Sequence, residues 1–77
     1  MTVEEVRKCL EQAPFTPFSI HTAGGKAFKI EHPDFATLTR GGRILIIDLD
    51  GDAFASVDVM LATYIESHPV TAKAVAT

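Results

Sequence analysis

The stretch that decides the fold is Phe18-Ser19-Ile20-His21-Thr22-Ala23-Gly24-Gly25-Lys26-Ala27-Phe28-Lys29-Ile30. Phe18 and Ile20, then Phe28 and Ile30, recur at every second position with polar side chains between them, the period of a strand with one face buried. The two faces also select the turn. A two-residue Gly24-Gly25 loop would set Ile20 opposite Lys29 and split the phenylalanines between faces. A loop of Ala23-Gly24-Gly25 sets Ile20 opposite Phe28 and Phe18 opposite Ile30. The spacing therefore predicts the longer loop, with Gly25 left-handed in a bulge.

Upstream of this hairpin the period is helical. Thr2 and Glu5 form a T-x-x-E capping box, and Val3, Val6, Leu10 and Ala13 fall on one stripe with Cys9 beside it. Glu4, Arg7, Lys8 and Glu11 face away. Pro14 is expected to end the helix, because its ring clashes with the preceding turn.

Downstream, His32-Pro33-Asp34 breaks the second strand, since proline cannot donate to a ladder. Ala36 to Thr39, Arg43 to Asp48 and Ala53 to Val59 read as further strands, joined at Gly41-Gly42 and by an Asp50-Gly51 type I′ turn. Two-residue turns at both glycine sites would set Leu38 opposite Leu45, Ala36 opposite Ile47, and Ile47 opposite Phe54, all on the core face. The other face would then carry Thr37, Thr39, Ile44, Ile46, Ala55 and Val57. That is too apolar to leave in water, so either the helix or a second chain is expected to cover it. Val57 to Leu61 reads as a strand turning sharply and Ala62 to Glu66 as a short final strand. A single domain is expected over residues 1–66, with a mobile tail from Ser67 to Thr77.

Composition narrows the function. The chain has 77 residues, 47% apolar and 22% charged, which suits one globular domain. Seven basic against ten acidic side chains leave a net charge of −3, which argues against a sequence-independent grip on a DNA or RNA backbone. A single cysteine allows no internal disulfide. The longest apolar run, Ile44 to Ile47, is far short of the roughly 20 residues that cross a bilayer. Glu4-Glu5 does not suit a secretory signal. No membrane association is expected, and a cytoplasmic location is.

A capped helix, a strongly bent meander and a last short strand after a one-turn break describe a small β-barrel. The chain resembles the Sm-like fold, shared by the bacterial host factor for RNA phage and the archaeal and eukaryotic Sm proteins. The resemblance runs from Thr2 to Glu66. It is carried by Ile30-Glu31 leading through Asp34-Phe35 into Leu38, and by Val57 to Glu66. The chain is also similar to short, uncharacterised bacterial proteins with a Pro14-Phe15-Thr16-Pro17-Phe18 segment and a His32-Pro33-Asp34-Phe35 step. The expected fold is mainly β with one N-terminal helix: a five-stranded, strongly bent antiparallel sheet closed as an Sm-like or SH3-like small barrel. What the Sm-like resemblance implies is a ring, in which each subunit's last strand pairs with its neighbour's penultimate strand, and single-stranded RNA as a ligand. Asp34 matches the family's first motif. Where the host factor has a basic Lys-His pair before its last strand, this chain has Ser56-Val57-Asp58.

The remaining constellations point away from catalysis. Asp48-Leu49-Asp50-Gly51-Asp52 departs from a calcium loop, because its glycine comes at position 4 and Val59 stands at position 12. His21, His32 and His68 lack the spacing of paired metal ligands. Cys9 reads as a small hydrophobe, the serines lack a nucleophile elbow, and Gly24-Gly25-Lys26 is a turn with no helix after it. No enzyme, metal or cofactor is expected. The expected function is a non-catalytic assembly or interaction module that forms a homo-oligomer and can take a protein partner. Its candidate interface is Ile44, Ile46, Ala55, Val57 and Tyr64. The alternative is a ring binding single-stranded RNA, with His32, Asp34, Phe35, Arg40 and Arg43 as candidate contacts.

Overall fold

Thr2 caps the first helix from both sides. In this computed structural model, which describes residues 2–69, the Thr2 hydroxyl accepts the Glu5 N–H at 3.3 Å. The Glu5 carboxylate accepts the Thr2 N–H at 2.9 Å. Two orphan amides are thereby satisfied, and α1 runs Val3–Glu11. It stops before Pro14, with Gln12 as its C-cap. The Gln12 side-chain amide donates to the carbonyls of Cys9 and Thr16 at 2.9 and 3.3 Å, supplying a donor where the helix has run out of N–H groups.

Among the described residues six strands follow: β1 (Phe18–Thr22), β2 (Ala27–Ile30), β3 (Ala36–Leu38), β4 (Ile44–Asp48), β5 (Phe54–Asp58) and β6 (Ala62–Ser67). The β1–β2 hairpin has the expected register, with Ile20 opposite Phe28 and Phe18 opposite Ile30. Its loop closes with the Thr22 N–H on the Lys26 carbonyl at 2.9 Å, and Gly25 sits at φ 86°. Only glycine adopts that conformation without strain. Between β2 and β3 the chain makes a 3-10 turn at Pro33–Phe35. Between β5 and β6 it makes another at Val59–Leu61.

These two turns overturn the five-stranded closed barrel. The strands form two three-stranded antiparallel sheets, ordered β2-β1-β6 and β3-β4-β5, and no ladder joins them among the described residues. The physical reason lies at His32-Pro33, where the missing proline N–H and the tight turn redirect the chain instead of bending one continuous strand.

The β3–β4 register is as expected, with Leu38 opposite Leu45 and Ala36 opposite Ile47. The loop is wider than two residues, closing where the Thr39 N–H meets the Ile44 carbonyl at 2.9 Å. The β4–β5 register differs from expectation by one residue. Ile47 lies opposite Ala55, and Phe54 opposite Asp48. The loop holds Asp50, Gly51 and Asp52, closed by the Leu49 N–H on the Ala53 carbonyl at 3.0 Å. Because side chains alternate with period two, that extra residue turns every side chain of β5 over. Ala55 and Val57, expected on the outer face, point into the core, and Phe54, expected in the core, is 64% exposed.

One core lies between the sheets. Phe18, Ile20 and Ile30 from one sheet meet Leu45, Ile47 and Val57 from the other, with Val6 of α1 fully buried among them. Each such side chain contributes about 1.5–3 kcal/mol by leaving water. The first turn of α1 rests on the β3–β4 loop. A Cβ at Gly42 would stand 3.0 Å from Val3 Cγ2. The helix therefore covers that end of the core and leaves Ile46 and Phe54 exposed on the outer face of β4 and β5. β6 runs one residue beyond the expected final strand. Ser67 belongs to β6 and the His68 N–H donates to the Pro17 carbonyl at 2.8 Å; the rest of the expected tail, 70–77, lies outside the described residues. No helix among the described residues is long and apolar enough to cross a membrane.

Candidate functional site

The shifted β5 builds an open groove of about 990 Å³ at the Asp50 end of the β4–β5 hairpin. Its apolar lining is Phe35 from the 3-10 turn, Ile46 from β4, Leu49 from the hairpin tip and Phe54 from β5, exposed by 48, 37, 45 and 64%. Glu31, Asp48, Asp50 and Asp52 line it with one cation, Lys29. Lys29 lies 3.4 Å from the Glu31 carboxylate. Asp48, Asp50 and Asp52 have no ion-pair partner among the described residues. The groove thus combines exposed apolar side chains with an excess of carboxylates.

Of the candidate RNA contacts, only Phe35 lies in this groove. His32 and Asp34 build the turn that presents it. His32 Nδ1 accepts the Asp34 N–H at 3.1 Å, and the His32 and Phe35 rings stand 5.6 Å apart. The Asp34 carboxylate lies 3.6 Å from the same Nδ1, with 85% of its side chain exposed.

Arg40 and Arg43 sit at the opposite end of β4, five residues or roughly 15 Å away at the usual rise per residue. Arg43 is already committed. Its Nε and Nη2 both donate to Asp58 Oδ2 at 3.2 Å. Asp58 also accepts the Met60 N–H at 2.9 Å and so caps the second 3-10 turn. The Arg43 guanidinium, with help from the Met60 amide, holds the Asp58 carboxyl below its ordinary range. Asp58, the acidic residue of Ser56-Val57-Asp58, is therefore a structural group here. The sequence-predicted contacts do not converge on one site.

Pairing of β1 with β6 assembles a second constellation. His21 stacks on Tyr64 with ring centroids 4.2 Å apart and planes 8° from parallel. His21 Nε2 lies 3.0 Å from a Glu66 carboxylate oxygen, and His68 Nε2 lies 2.9 Å from the hydroxyl of buried Ser19. A bulge between Ala62 and Tyr64 leaves Thr63 unpaired, and its hydroxyl donates to the His21 carbonyl at 3.0 Å. These contacts tie the two strands together. Ser19 is buried, and Glu66, opposite it on β6, is engaged by His21 and not by His68. No group of three metal-type ligands converges among the described residues. Burial pushes the Cys9 thiol up, away from the thiolate form that reacts.

No protein-family model, curated protein or solved structure matches the chain. Sequence reasoning missed Leu49 and Phe54 as surface residues, because Asp50-Gly51 is a strong two-residue turn signal. The signal that could have found them is the pairing itself: with Leu45 buried on β4, the β-branched Val57 suits the place opposite it better than exposed Ser56 does.

Proposed function

We propose that the chain is a non-catalytic interaction module that assembles with copies of itself, the edge of β6 pairing with the edge of β5 on a neighbour. The observation that carries this reading is that β5 and β6, the last two strands, are both edge strands of their sheets. Beside them, Met60, Leu61 and Tyr64 are exposed by 69, 60 and 53%. An edge strand presents a row of unpaired N–H and C=O groups that another strand can complete, and adjacent apolar side chains lose water on contact. The Sm-like resemblance implies the same pairing of last with penultimate strand. Small size adds a reason, because a core of this length rarely supplies more than about 3–5 kcal/mol without a disulfide or metal. Of the expected interface, Tyr64 and Ile46 are exposed and Ile44 is half-buried, whereas Val57 is buried in the core and Ala55 is partly buried against it.

Sedimentation velocity over a wide concentration range tests the reading. The wild type should sediment as a multiple of 8.3 kDa. A Met60→Lys/Leu61→Lys variant should fall to the monomer while keeping its circular-dichroism spectrum at low temperature, because both side chains are well exposed. A wild type that stays monomeric at every concentration overturns it.

A further inference from the structure

We propose that the groove at the Asp50 end of the β4–β5 hairpin docks a short segment of another protein, in which apolar side chains alternate with lysine or arginine. Four large apolar side chains, Phe35, Ile46, Leu49 and Phe54, are held in water around one concavity. Exposed apolar surface gathered in this way marks a contact site. Its volume, about 990 Å³, is at the top of the range of small-molecule pockets, and it is open, so it suits a segment laid along it better than an enclosed ligand.

Charge selects the class of occupant. Four carboxylates face the groove against one ammonium, and that ammonium, Lys29, is paired with Glu31. A cationic segment meets complementary potential and gains in rate and specificity of encounter. Nucleic-acid phosphates and anionic lipid headgroups meet repulsion from the same carboxylates. The matching groove of a second copy is disfavoured for the same reason: a two-fold contact would bring both sets of carboxylates together, in a chain that already carries a net charge of −3. Met60, Leu61 and Tyr64 do not line this groove, which takes only Phe54 from β5, so the proposal does not depend on strand-edge assembly.

The test titrates nitrogen-15-labelled protein with three short end-capped peptides of equal length: alternating Leu and Lys, alternating Leu and Glu, and alternating Ser and Lys. The Leu/Lys peptide should move the amide signals of Phe35, Ile46, Leu49 and Phe54, and bind at least about tenfold more tightly than either of the others. Its affinity should fall as salt rises. Asp48→Asn/Asp50→Asn/Asp52→Asn and, separately, Phe54→Ser should each weaken it about tenfold or more, with unchanged melts because these side chains are exposed. Equal binding of all three peptides overturns the proposal. So do shifts clustered at Met60, Leu61 and Tyr64, or groove signals that move on dilution without peptide, which would make a second copy the occupant.

Discussion

Leu45 and Val57 face each other across the β4–β5 ladder, both buried, at 0 and 7% exposure. That single pairing decides which residues the outer face of the sheet can offer. With Val57 turned inward, Phe54 three positions earlier turns outward and becomes part of the groove. The candidate site is thus a consequence of register, and register is set by one residue in a loop.

Val57→Asp and Ile46→Asp should behave differently. The first places an unpaired carboxylate in the core and should destabilise by several kcal/mol, enough to unfold much of a domain this small. The second lies on a face that is 37% exposed and should change stability by about 1 kcal/mol or less. Urea unfolding followed by circular dichroism distinguishes them. Similar losses in both variants would mean that Ile46 and Val57 share one face.

Gly42 and Gly51 both have positive φ, 77° and 65°, but they differ in surroundings. At Gly51 a Cβ meets nothing within 4 Å, so Gly51→Ala should cost only the left-handed strain of about 1–2 kcal/mol. At Gly42 the added carbon also meets Val3 Cγ2 at 3.0 Å. Gly42→Ala should be the more destabilising by about 1 kcal/mol, and Val3→Ala in the same chain should recover part of that difference. Additive losses in the double variant would show that α1 does not rest on the loop.

Thr2→Ala should weaken the N-terminus of α1 by about 1 kcal/mol, since it removes the oxygen that accepts the Glu5 N–H. Thr2→Ser should retain nearly all the wild-type stability. Amide hydrogen exchange across Val3 to Glu11 reads this directly, with faster exchange expected in the alanine variant only.

Acid should loosen the molecule at two carboxylates. The hydrogen bonds from Arg43 and the Met60 amide lower the pKa of Asp58, and those from the Thr2 amide and hydroxyl lower that of Glu5. A group whose folded pKa is depressed stabilises above its unfolded value and loses that contribution as pH falls through the folded one. The window lies below pH 3.8 for Asp58 and below pH 4.5 for Glu5. Asp58→Asn should therefore be less stable than wild type at neutral pH, with the gap closing as the solution is acidified. Thermal melts across that range would refute the assignment if the gap stayed constant.

Much of the local architecture was legible because it rests on neighbours in sequence. The capping box needs only Thr2 and Glu5, and the β1–β2 register follows from phenylalanines that must share a face. The break at Pro33 follows from a missing N–H. The β4–β5 loop was not legible in this way. Asp50-Gly51 favours a two-residue turn by local chemistry, and burial of Val57 against Leu45 selects the longer loop.

The candidate site divides along the same line. His32 and Phe35 come together within one turn, so their proximity can be read from the chain. Arg43 with Asp58, and His21 with Tyr64 and Glu66, are joined only when strands distant in sequence pair. Identity and spacing are enough where a turn of backbone closes the contact. Where the contact crosses a ladder, its existence depends on which face each strand presents to the common core, and that choice is made by packing all the strands at once.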